Sequence, residues 1–335
     1  MEKAIFMSSS AGAIDNAYSP ELRKRMEACF GEIPYITKFG TDDLEAQREL
    51  LADAKYIFST WGMPALSSEA IAEYLPSLSA VFYAAGSVQG FARNFLLRGV
   101  RVFSAWGANA VPVAEFTVAQ ILLANKGYFQ RLKYGSRENW DNRVCPVRFE
   151  GNYDAKVGII GAGMIGRLVI ELLRRHRLQV YVYDKFLSEE AAAELGVTKT
   201  TLEYIFSECD VISNHLANKE ETRGILTGEL FAKMKPNATF INTGRGAQVD
   251  EEGLACAMRE VPTRVALLDV TDPEPPLPGS ELYRLPNIFL SPHIAGSIGS
   301  EVRRMGEYMF AEYEALVRGE ATRYEVTLDM LETMA

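Results

Sequence analysis

Six short apolar runs follow one another through the second half of the chain, and segments with helical spacing separate them. The runs begin near residues 156, 179, 210, 238, 264 and 287. The first, KVGIIGA, is apolar without alternation, which is typical of a strand that is covered on both faces. Because strands that alternate with helices form a parallel sheet, this series predicts a doubly wound α/β domain.

A second series of the same kind occupies the first hundred residues. Its apolar runs lie at 4–7, 56–59, 80–85 and 100–103, with helical patterns between them. This alternation predicts a second parallel sheet with helices on its faces.

The segments around these two series set the expected domain organisation. A long helix is predicted over 111–134, with Pro112 in its first turn, where the missing N–H is not needed. A further helix over 300–319 follows the last strand, and we infer that it returns to the first domain. We therefore expect a discontinuous domain of residues 1–106 and 298–335, and a second domain of residues 107–297.

Composition limits the kinds of protein that this chain can be. With 335 residues, 48% of them hydrophobic and 24% charged, the chain can form two globular domains and is not disordered. A net charge of −9 disfavours nucleic acid and anionic membranes as partners. The four cysteines are scattered without a CxxC pair, so neither a disulfide framework nor a metal site is expected.

The same features predict where the protein works. No apolar stretch approaches the length of a membrane span, and the apolar stretch at the N-terminus is too short for a signal peptide. Together with the scattered cysteines, these features predict a cytoplasmic protein that does not associate with a membrane.

The glycine-rich turn GAGMIG follows the first strand of the stronger series and precedes an amphipathic helix. Gly161 permits the tight turn, Gly163 lets the backbone approach a pyrophosphate, and Gly166 lets helix and strand pack closely. Met164 and Ile165 begin the helix, whose free N–H groups and positive dipole end attract phosphate. We therefore expect a dinucleotide here; the alternative is a structural glycine turn.

The next two strands end in residues that suit the rest of a dinucleotide. The strand QVYVYD ends in Asp184, whose carboxylate can accept both ribose hydroxyls of NAD and repels the 2′-phosphate of NADP. Lys185 is adjacent and could weaken that preference. His215 ends the strand DVISNH and could lie near the cofactor. The predicted cofactor is NAD.

Three residues that follow successive later strands form a candidate catalytic set. The segment INTGRG places Thr243 and Arg245 after one strand. Thr243 is expected to bind the cofactor. Arg245 can hold a carboxylate with two parallel hydrogen bonds. Glu274 and His293 follow the next two strands. A Glu–His pair can act as general acid in carbonyl reduction and as general base in alcohol oxidation. Taken singly, Arg245 would be a surface residue and His293 a structural histidine.

With these motifs the chain resembles the D-isomer-specific 2-hydroxyacid dehydrogenases. The matching segments are VGIIGAGMIGR, INTGRGAQVDEEGL, LDVTDPEPP and SPHIAGS, in the order and spacing of that family. The resemblance implies a Rossmann cofactor domain, a flavodoxin-like substrate domain, a cleft between them and usually a homodimer. It also implies that Arg245 anchors the substrate carboxylate, that His293 is the acid/base and that Glu274 is its partner. The substrate-domain loop whose N–H groups usually hold the carboxylate corresponds to Gly86, Ser87 and Val88.

The chain departs from the family pattern beside the expected substrate loop. It has GSVQGFARN where the family often has a stretch like GVGxDNID, and Trp106–Gly107 where a Pro–Gly is frequent. The identity of the substrate therefore does not transfer from family members. The expected activity is hydride transfer between NAD(H) and C2 of a 2-hydroxy or 2-oxo acid, with D-specificity.

Two other functions remain open at this stage. One is oxidation of a small inorganic anion such as phosphite, and the other is non-catalytic NADH sensing, as in the corepressors of the family. The formate dehydrogenases of the family have glutamine where this chain has Glu274, which disfavours that activity.

The substrate's side chain is expected to be apolar or extended. The candidate specificity surface consists of apolar side chains: Trp61, Met63, Val88 and Trp106. Neither 60–64 nor 86–90 contains the Arg or Lys that a phosphorylated substrate would need. The alternative is that Trp61 and Trp106 pack in the core.

Overall fold

The computed structural model describes residues 2–132 and 148–332. Contacts divide the chain into two units, Met1–Ala110 with Ser297–Ala335, and Val111–Gly296. Each unit contains one sheet with helices packed against it, so the expectation of two parallel-sheet α/β domains is confirmed.

The first unit contains a six-stranded sheet in the order β13-β5-β4-β3-β1-β2, parallel except for β13 at one edge. Its strands are β1 (Lys3–Met7), β2 (Tyr35–Ile36), β3 (Ala54–Ser59), β4 (Ala80–Tyr83), β5 (Arg101–Ser104) and β13 (Glu325–Val326). Its helices are Ala11–Ala17, Pro20–Phe30, Thr41–Ala46, Arg48–Asp53, Ser68–Tyr74, Ala92–Leu97, Ser300–Arg318 and Leu328–Leu331.

The second unit contains a seven-stranded parallel sheet in the order β12-β11-β10-β9-β6-β7-β8. Its strands are β6 (Tyr153–Ile160), β7 (Arg177–Tyr183), β8 (Thr198–Lys199), β9 (Val211–Asn214), β10 (Thr239–Asn242), β11 (Val265–Leu268) and β12 (Ile288–Leu290). Its helices are Tyr128–Arg131, Met164–Leu173, Glu189–Leu195, Leu202–Glu208, Gly228–Ala232 and Glu251–Glu260, with 3₁₀ turns at Glu220–Thr222, Gly246–Gln248 and Glu281–Tyr283.

Both sheets have a hydrophobic core on each face, which explains why their strands are apolar without alternation. Successive strand residues point to opposite faces, so Ile5 belongs to one core and Phe6 to the other. Val211 and Ile212 divide in the same way between the two cores of the second unit. A strand buried on both faces needs apolar residues at every position.

The long helix Trp106–Asn125 begins before Pro112, so the prediction that this proline lies in the first turn is wrong. A helix residue at 112 with an N–H would bond the carbonyl of Ala108. That carbonyl instead accepts a hydrogen bond from Arg304 Nη2 at 3.1 Å. The helix therefore continues through Pro112 without leaving Ala108 unpaired. The predicted end at residue 134 lies outside the described residues, and the helix ends at Asn125.

The same helix is long and apolar enough to cross a membrane by length and composition, and it is the single such helix among the described residues. The expectation that no stretch approaches that length is therefore wrong. Half of its most apolar window is buried inside the protein. Ala114, Val118 and Ile121 lie in the core that covers one face of the second sheet. Packing in this core accounts for the buried part of the apolar window.

Candidate active site

The glycine turn between β6 and the helix Met164–Leu173 has the geometry that a dinucleotide requires. Gly161 has a φ of +95°, and a Cβ there would lie 2.8 Å from the backbone carbonyl of His215. A Cβ on Gly166 would lie 2.0 Å from the carbonyl oxygen of Gly161, so helix and strand approach too closely for any side chain. Both positions therefore require glycine.

The outer side of this turn is open to a ligand. A Cβ built on Gly163 would have no described heavy atom within 4 Å. Gly163 caps the helix without a side-chain hydrogen bond, so the first N–H groups of the helix are available to an anion. Met164 is exposed, whereas the side chain of Ile165 packs against the core, so Ile165 can contribute through its backbone. These residues fit the pyrophosphate of NAD.

Asp184 connects the end of β7 to the glycine turn. Its Oδ2 accepts a hydrogen bond from the Ala162 N–H at 2.7 Å, and its Oδ1 accepts from the N–H groups of Phe186 and Leu187 at 2.8 and 3.0 Å. The carboxylate is therefore held in one orientation beside the turn. Binding of ribose by Asp184 stays a prediction. The Lys185 ammonium is exposed and 4.0 Å from a carboxylate oxygen of Glu221.

His215 is buried directly after β9 and is unsuited to proton transfer near neutral pH. Its Nε2 lies 2.9 Å from Ser213 Oγ, while its Nδ1 has no partner among the described residues. Burial lowers the pKa of His215 to about 3, so the ring is neutral at pH 7. Its backbone lies against Gly161, which places His215 beside the glycine turn.

Arg245 lies on the loop after β10, where it is partly buried. Its Nη1 donates to the carbonyl of Gly244 at 2.7 Å. Burial lowers the pKa of Arg245, and the nearby charge of Glu274 opposes that shift. No described carboxylate lies within 4.0 Å of its guanidinium, so its other N–H groups can bind an anionic ligand. Thr243, on the same loop, is buried with its hydroxyl 3.1 Å from that of Thr117.

Three buried amide side chains that the sequence motifs did not indicate hold the Arg245 loop. Asn214 Nδ2 donates to Asn242 Oδ1 at 3.0 Å and to Gln248 Oε1 at 2.6 Å. Asn242 Nδ2 in turn donates to the carbonyl of Arg245 at 3.0 Å. A signal was available, because Asn214 and Asn242 end neighbouring strands that are otherwise apolar. A polar residue at the buried end of a strand needs a partner.

Gly246 brings the Arg245 loop against the segment that carries Glu274. A Cβ on Gly246 would lie 1.9 Å from the carbonyl carbon of Thr271, which no side chain can tolerate. Thr271 follows β11 and lies three residues before Glu274. The contact therefore depends on glycine at this position.

Glu274 and His293, from the segments after β11 and β12, form a hydrogen-bonded pair. The Nδ1 of His293 lies 2.7 Å from Oε1 of Glu274. The His293 side chain is 47% exposed and the Glu274 side chain is 43% exposed. The other ring nitrogen of His293, Nε2, can therefore reach a ligand and exchange protons with water. His293 has a φ of +53°, in the left-handed region that is uncommon for residues other than glycine.

The carboxylate of Asp269, another residue that the sequence motifs did not indicate, anchors the loop that carries His293. Asp269 Oδ1 accepts from the Ser291 hydroxyl at 2.5 Å and from the Ile294 N–H at 2.9 Å, and Oδ2 accepts from the Ala295 N–H at 2.8 Å. The Asp269 carbonyl also accepts from the His293 N–H at 3.0 Å. Asp269 therefore fixes the backbone on both sides of His293.

In the first unit, the loop after β4 carries the predicted substrate-binding residues. None of the N–H groups of Gly86, Ser87 and Val88 donates a hydrogen bond to another described residue. Ser87 is exposed, whereas Val88 is fully buried in the core. The expectation that the Val88 side chain belongs to a specificity surface is therefore wrong, because packing against the core removes it from ligands.

The two candidate tryptophans differ in their surroundings. Trp61 follows β3, and 44% of it is exposed. Its carbonyl accepts the Ser8 hydroxyl at 2.6 Å, which fixes the loop below the ring. Trp106 packs edge-on against Tyr324 with ring centroids 5.4 Å apart. The alternative that the tryptophans pack in the core therefore holds for Trp106, whereas Trp61 remains available to a ligand.

Comparisons with known proteins agree with this geometry. Residues 118–295 match the family model of the D-isomer specific 2-hydroxyacid dehydrogenase NAD binding domain. The YoaD protein of Bacillus subtilis (strain 168) is 31% identical over 295 residues, which are 84% of this chain and 83% of that protein. This chain belongs to the D-isomer specific 2-hydroxyacid dehydrogenase family. Its second unit is the family's NAD-binding domain, so the predicted family and cofactor are confirmed.

Relatives with different names match at similar levels. A glyoxylate reductase of Korarchaeum cryptofilum is 31% identical, with 67% of this chain and 68% of that protein covered. A D-3-phosphoglycerate dehydrogenase of Archaeoglobus fulgidus is 30% identical over 70% of this chain, but the match spans only 44% of that protein.

Solved structures share the fold along almost the whole chain. The NAD complexed form of a D-isomer specific 2-hydroxyacid dehydrogenase from Lactobacillus delbrueckii has a TM-score of 0.77 at 20% identity, covering 97% of this chain and 100% of that one. The relatives therefore establish fold and family, and they do not select one acid as substrate.

Proposed function

We propose that the chain is an NADH-dependent reductase that converts a 2-oxo acid to the D-2-hydroxy acid, and that it also catalyses the reverse oxidation. The observation that carries this proposal is the 2.7 Å contact between Glu274 and His293 at the carboxyl edge of the NAD-binding sheet. Ligands of open α/β sheets bind at this edge. Arg245 lies on the adjacent loop, and among the described residues its guanidinium donates only to the carbonyl of Gly244.

Each residue has a defined part in this reaction. The turn from Gly161 to Gly166 would hold the pyrophosphate, and the bound NADH supplies a hydride for C2. The Arg245 guanidinium holds the substrate carboxylate with two parallel hydrogen bonds. His293 Nε2 donates a proton to the carbonyl oxygen as the hydride arrives, which leaves the alcohol and NAD⁺.

Glu274 makes this proton transfer easier in both directions. Its carboxylate accepts a hydrogen bond from the N–H at Nδ1 of His293, which fixes the ring and leaves Nε2 facing the ligand site. In the oxidation direction the neutral ring takes the hydroxyl proton from the substrate. Because His293 is exposed, water can restore its protonation state between turnovers.

The substrate loop of the first unit contributes further donors in this proposal. The N–H groups of Gly86, Ser87 and Val88 would bind the substrate carboxylate. Trp61 would contact the side chain of the acid, since it is the exposed tryptophan of the two candidates.

The proposed function is tested by turnover of a panel of 2-oxo acids, followed at 340 nm with NADH and with NADPH. Oxidation of NADH by at least one 2-oxo acid, with the D-2-hydroxy acid as product, is expected. Tight NADH binding without turnover of any acid would instead indicate a sensor. Reduction of NAD⁺ by phosphite, with no activity on acids, would indicate anion oxidation.

We also propose that the protein is a cytoplasmic homodimer. Leu123, Tyr128 and Leu132 are exposed apolar residues on and after the long helix, which suits contact with a second copy. Light scattering coupled to gel filtration checks this. A mass near 37.2 kDa at micromolar concentration would contradict it.

A further inference from the structure

Two buried hydroxyl groups hold three consecutive carbonyls of the loop after β4. Thr60 Oγ1 donates to the carbonyl of Ala84 at 2.9 Å. Ser104 Oγ lies 2.9 Å from the carbonyl oxygen of Ala85 and 2.5 Å from that of Gly86, and its single hydroxyl proton is shared between them. Thr60 and Ser104 are fully buried. These carbonyls therefore point into the unit, away from solvent.

The orientation of these carbonyls determines the direction of the next N–H groups. In a planar trans peptide the C=O of one residue and the N–H of the next point in opposite directions. The carbonyls of Ala85 and Gly86 point toward Ser104, so the N–H groups of Gly86 and Ser87 point away from it. Neither N–H has an acceptor among the described residues. Successive N–H groups that point outward form a concave site for an anion.

Val88 anchors the other end of the loop after β4. The Val88 carbonyl accepts hydrogen bonds from the N–H groups of Phe91 and Ala92 at 3.2 and 3.0 Å, and its side chain is buried in the core. The loop is therefore anchored at both ends, by Ser104 before Ser87 and by core packing at Val88.

We propose that Ser104 is a positioning residue for the substrate carboxylate. Its hydroxyl holds the two peptide planes whose N–H groups bind the carboxylate in the proposed function, on which this inference rests. Ser104 does not touch the substrate. Without the hydroxyl, the carbonyls of Ala85 and Gly86 lose their donor and both planes can rotate toward water. The carboxylate then meets donors that are no longer fixed in advance.

The test compares Ser104→Ala with Ser104→Cys and with a matched control. Cysteine keeps a side chain of similar size but offers only a weak donor. The control is Tyr18→Phe, because Tyr18 is fully buried and its hydroxyl also donates to two carbonyls of the same sheet, those of Ser59 and Phe82 at 2.8 and 3.2 Å. KM, kcat, the inhibition constant of oxamate and the Kd of NADH are measured for each protein on the wild type's preferred 2-oxo acid.

A rise of KM and of the oxamate constant by about tenfold, equivalent to about 1.4 kcal/mol, is expected for both Ser104 variants. Their kcat should stay within about twofold and their NADH Kd unchanged, while Tyr18→Phe should leave all four constants unchanged. Wild-type constants in Ser104→Ala or in Ser104→Cys would overturn the proposal, since then either the contact is dispensable or volume alone matters. An equal rise of KM in Tyr18→Phe would also overturn it, because the effect would then reflect stability. If the wild type reduces no 2-oxo acid, the proposed function itself fails.

Discussion

Replacing His293 by glycine separates its proposed chemical role from its structural one. His293 adopts a φ of +53°, which costs a residue with a Cβ roughly 1–2 kcal/mol. Glycine removes this cost but loses roughly 0.5–1 kcal/mol through the greater freedom of the unfolded chain. We therefore expect His293→Gly to be more stable than His293→Ala, which keeps the strain, by about 0.75 kcal/mol, the difference between the centres of the two ranges.

Activity should respond quite differently. Both variants lose the proton donor, so kcat should fall by roughly 10²–10⁴-fold if general acid catalysis is its role. The lost contact with Glu274 contributes little to stability, because both side chains are nearly half exposed. Urea unfolding gives the free energies of unfolding, and NADH oxidation under chemistry-limited conditions gives kcat. Near-normal kcat in either variant, or a loss of activity that follows unfolding, would refute the assignment of His293 as the acid.

Four further predictions concern the cofactor, the substrate and pH. NADH should give a higher kcat/KM than NADPH, and Asp184→Ala should narrow the ratio by removing repulsion of the 2′-phosphate; equal values in the wild type would contradict this. Arg245→Lys should raise KM about tenfold or more, since lysine cannot make the two parallel hydrogen bonds; an unchanged KM would exclude a carboxylate contact. Burial lowers the pKa of His215 to about 3, so the folded protein keeps the ring neutral while the unfolded chain protonates it below about pH 6.5. The contribution of this group to the free energy of unfolding is therefore fully present above pH 6.5 and declines by about 1.4 kcal/mol per pH unit as pH falls from 6.5 toward 3. His215→Gln should reduce the pH dependence of the free energy of unfolding over that range, and an unchanged slope would argue against a buried neutral ring. Branched or aromatic 2-oxo acids should react faster than 3-phosphohydroxypyruvate, and Trp61→Ala should reduce that preference; faster reduction of the phosphorylated acid or of glyoxylate would contradict it.

Much of the fold could be predicted because its signals are local. The six apolar runs of the second half coincide with β6, β7, β9, β10, β11 and β12. The glycine turn was predictable because Gly161 and Gly166 are required by short-range sterics. The strands that the sequence did not indicate, β2, β8 and β13, have only two residues each. So short a strand has no periodicity of its own, and its neighbours in the sheet determine it.

The helix start and the role of Val88 could not be predicted, because distant contacts decide them. Pro112 is a helix-start signal, yet Arg304, far along the chain, satisfies the carbonyl of Ala108 and lets the helix begin earlier. Val88 lies in a loop beside a predicted ligand site, yet its side chain turns into the core. Polar and apolar sequence patterns give no information on these tertiary partners.

In the candidate site, the residues proposed to react could be predicted from the sequence, whereas the residues that support them could not. Glu274 and His293 were identified because their side chains suit proton transfer and follow adjacent strands. Asp269 was missed because its three side-chain partners lie more than twenty residues away in the chain. The hydroxyl of Ser104 was missed for a related reason, since its acceptors are backbone carbonyls that any residue could provide.

The most direct test of hydride transfer to C2 uses NADH that carries deuterium at both C4 positions. The wild-type protein is incubated with the labelled NADH and its preferred 2-oxo acid, and the product is analysed by NMR and on a chiral column. Deuterium is expected at C2 of the D-2-hydroxy acid, with a solvent-derived proton on the oxygen. No NADH oxidation with any 2-oxo acid, or a product without deuterium at C2, would contradict hydride transfer to that carbon.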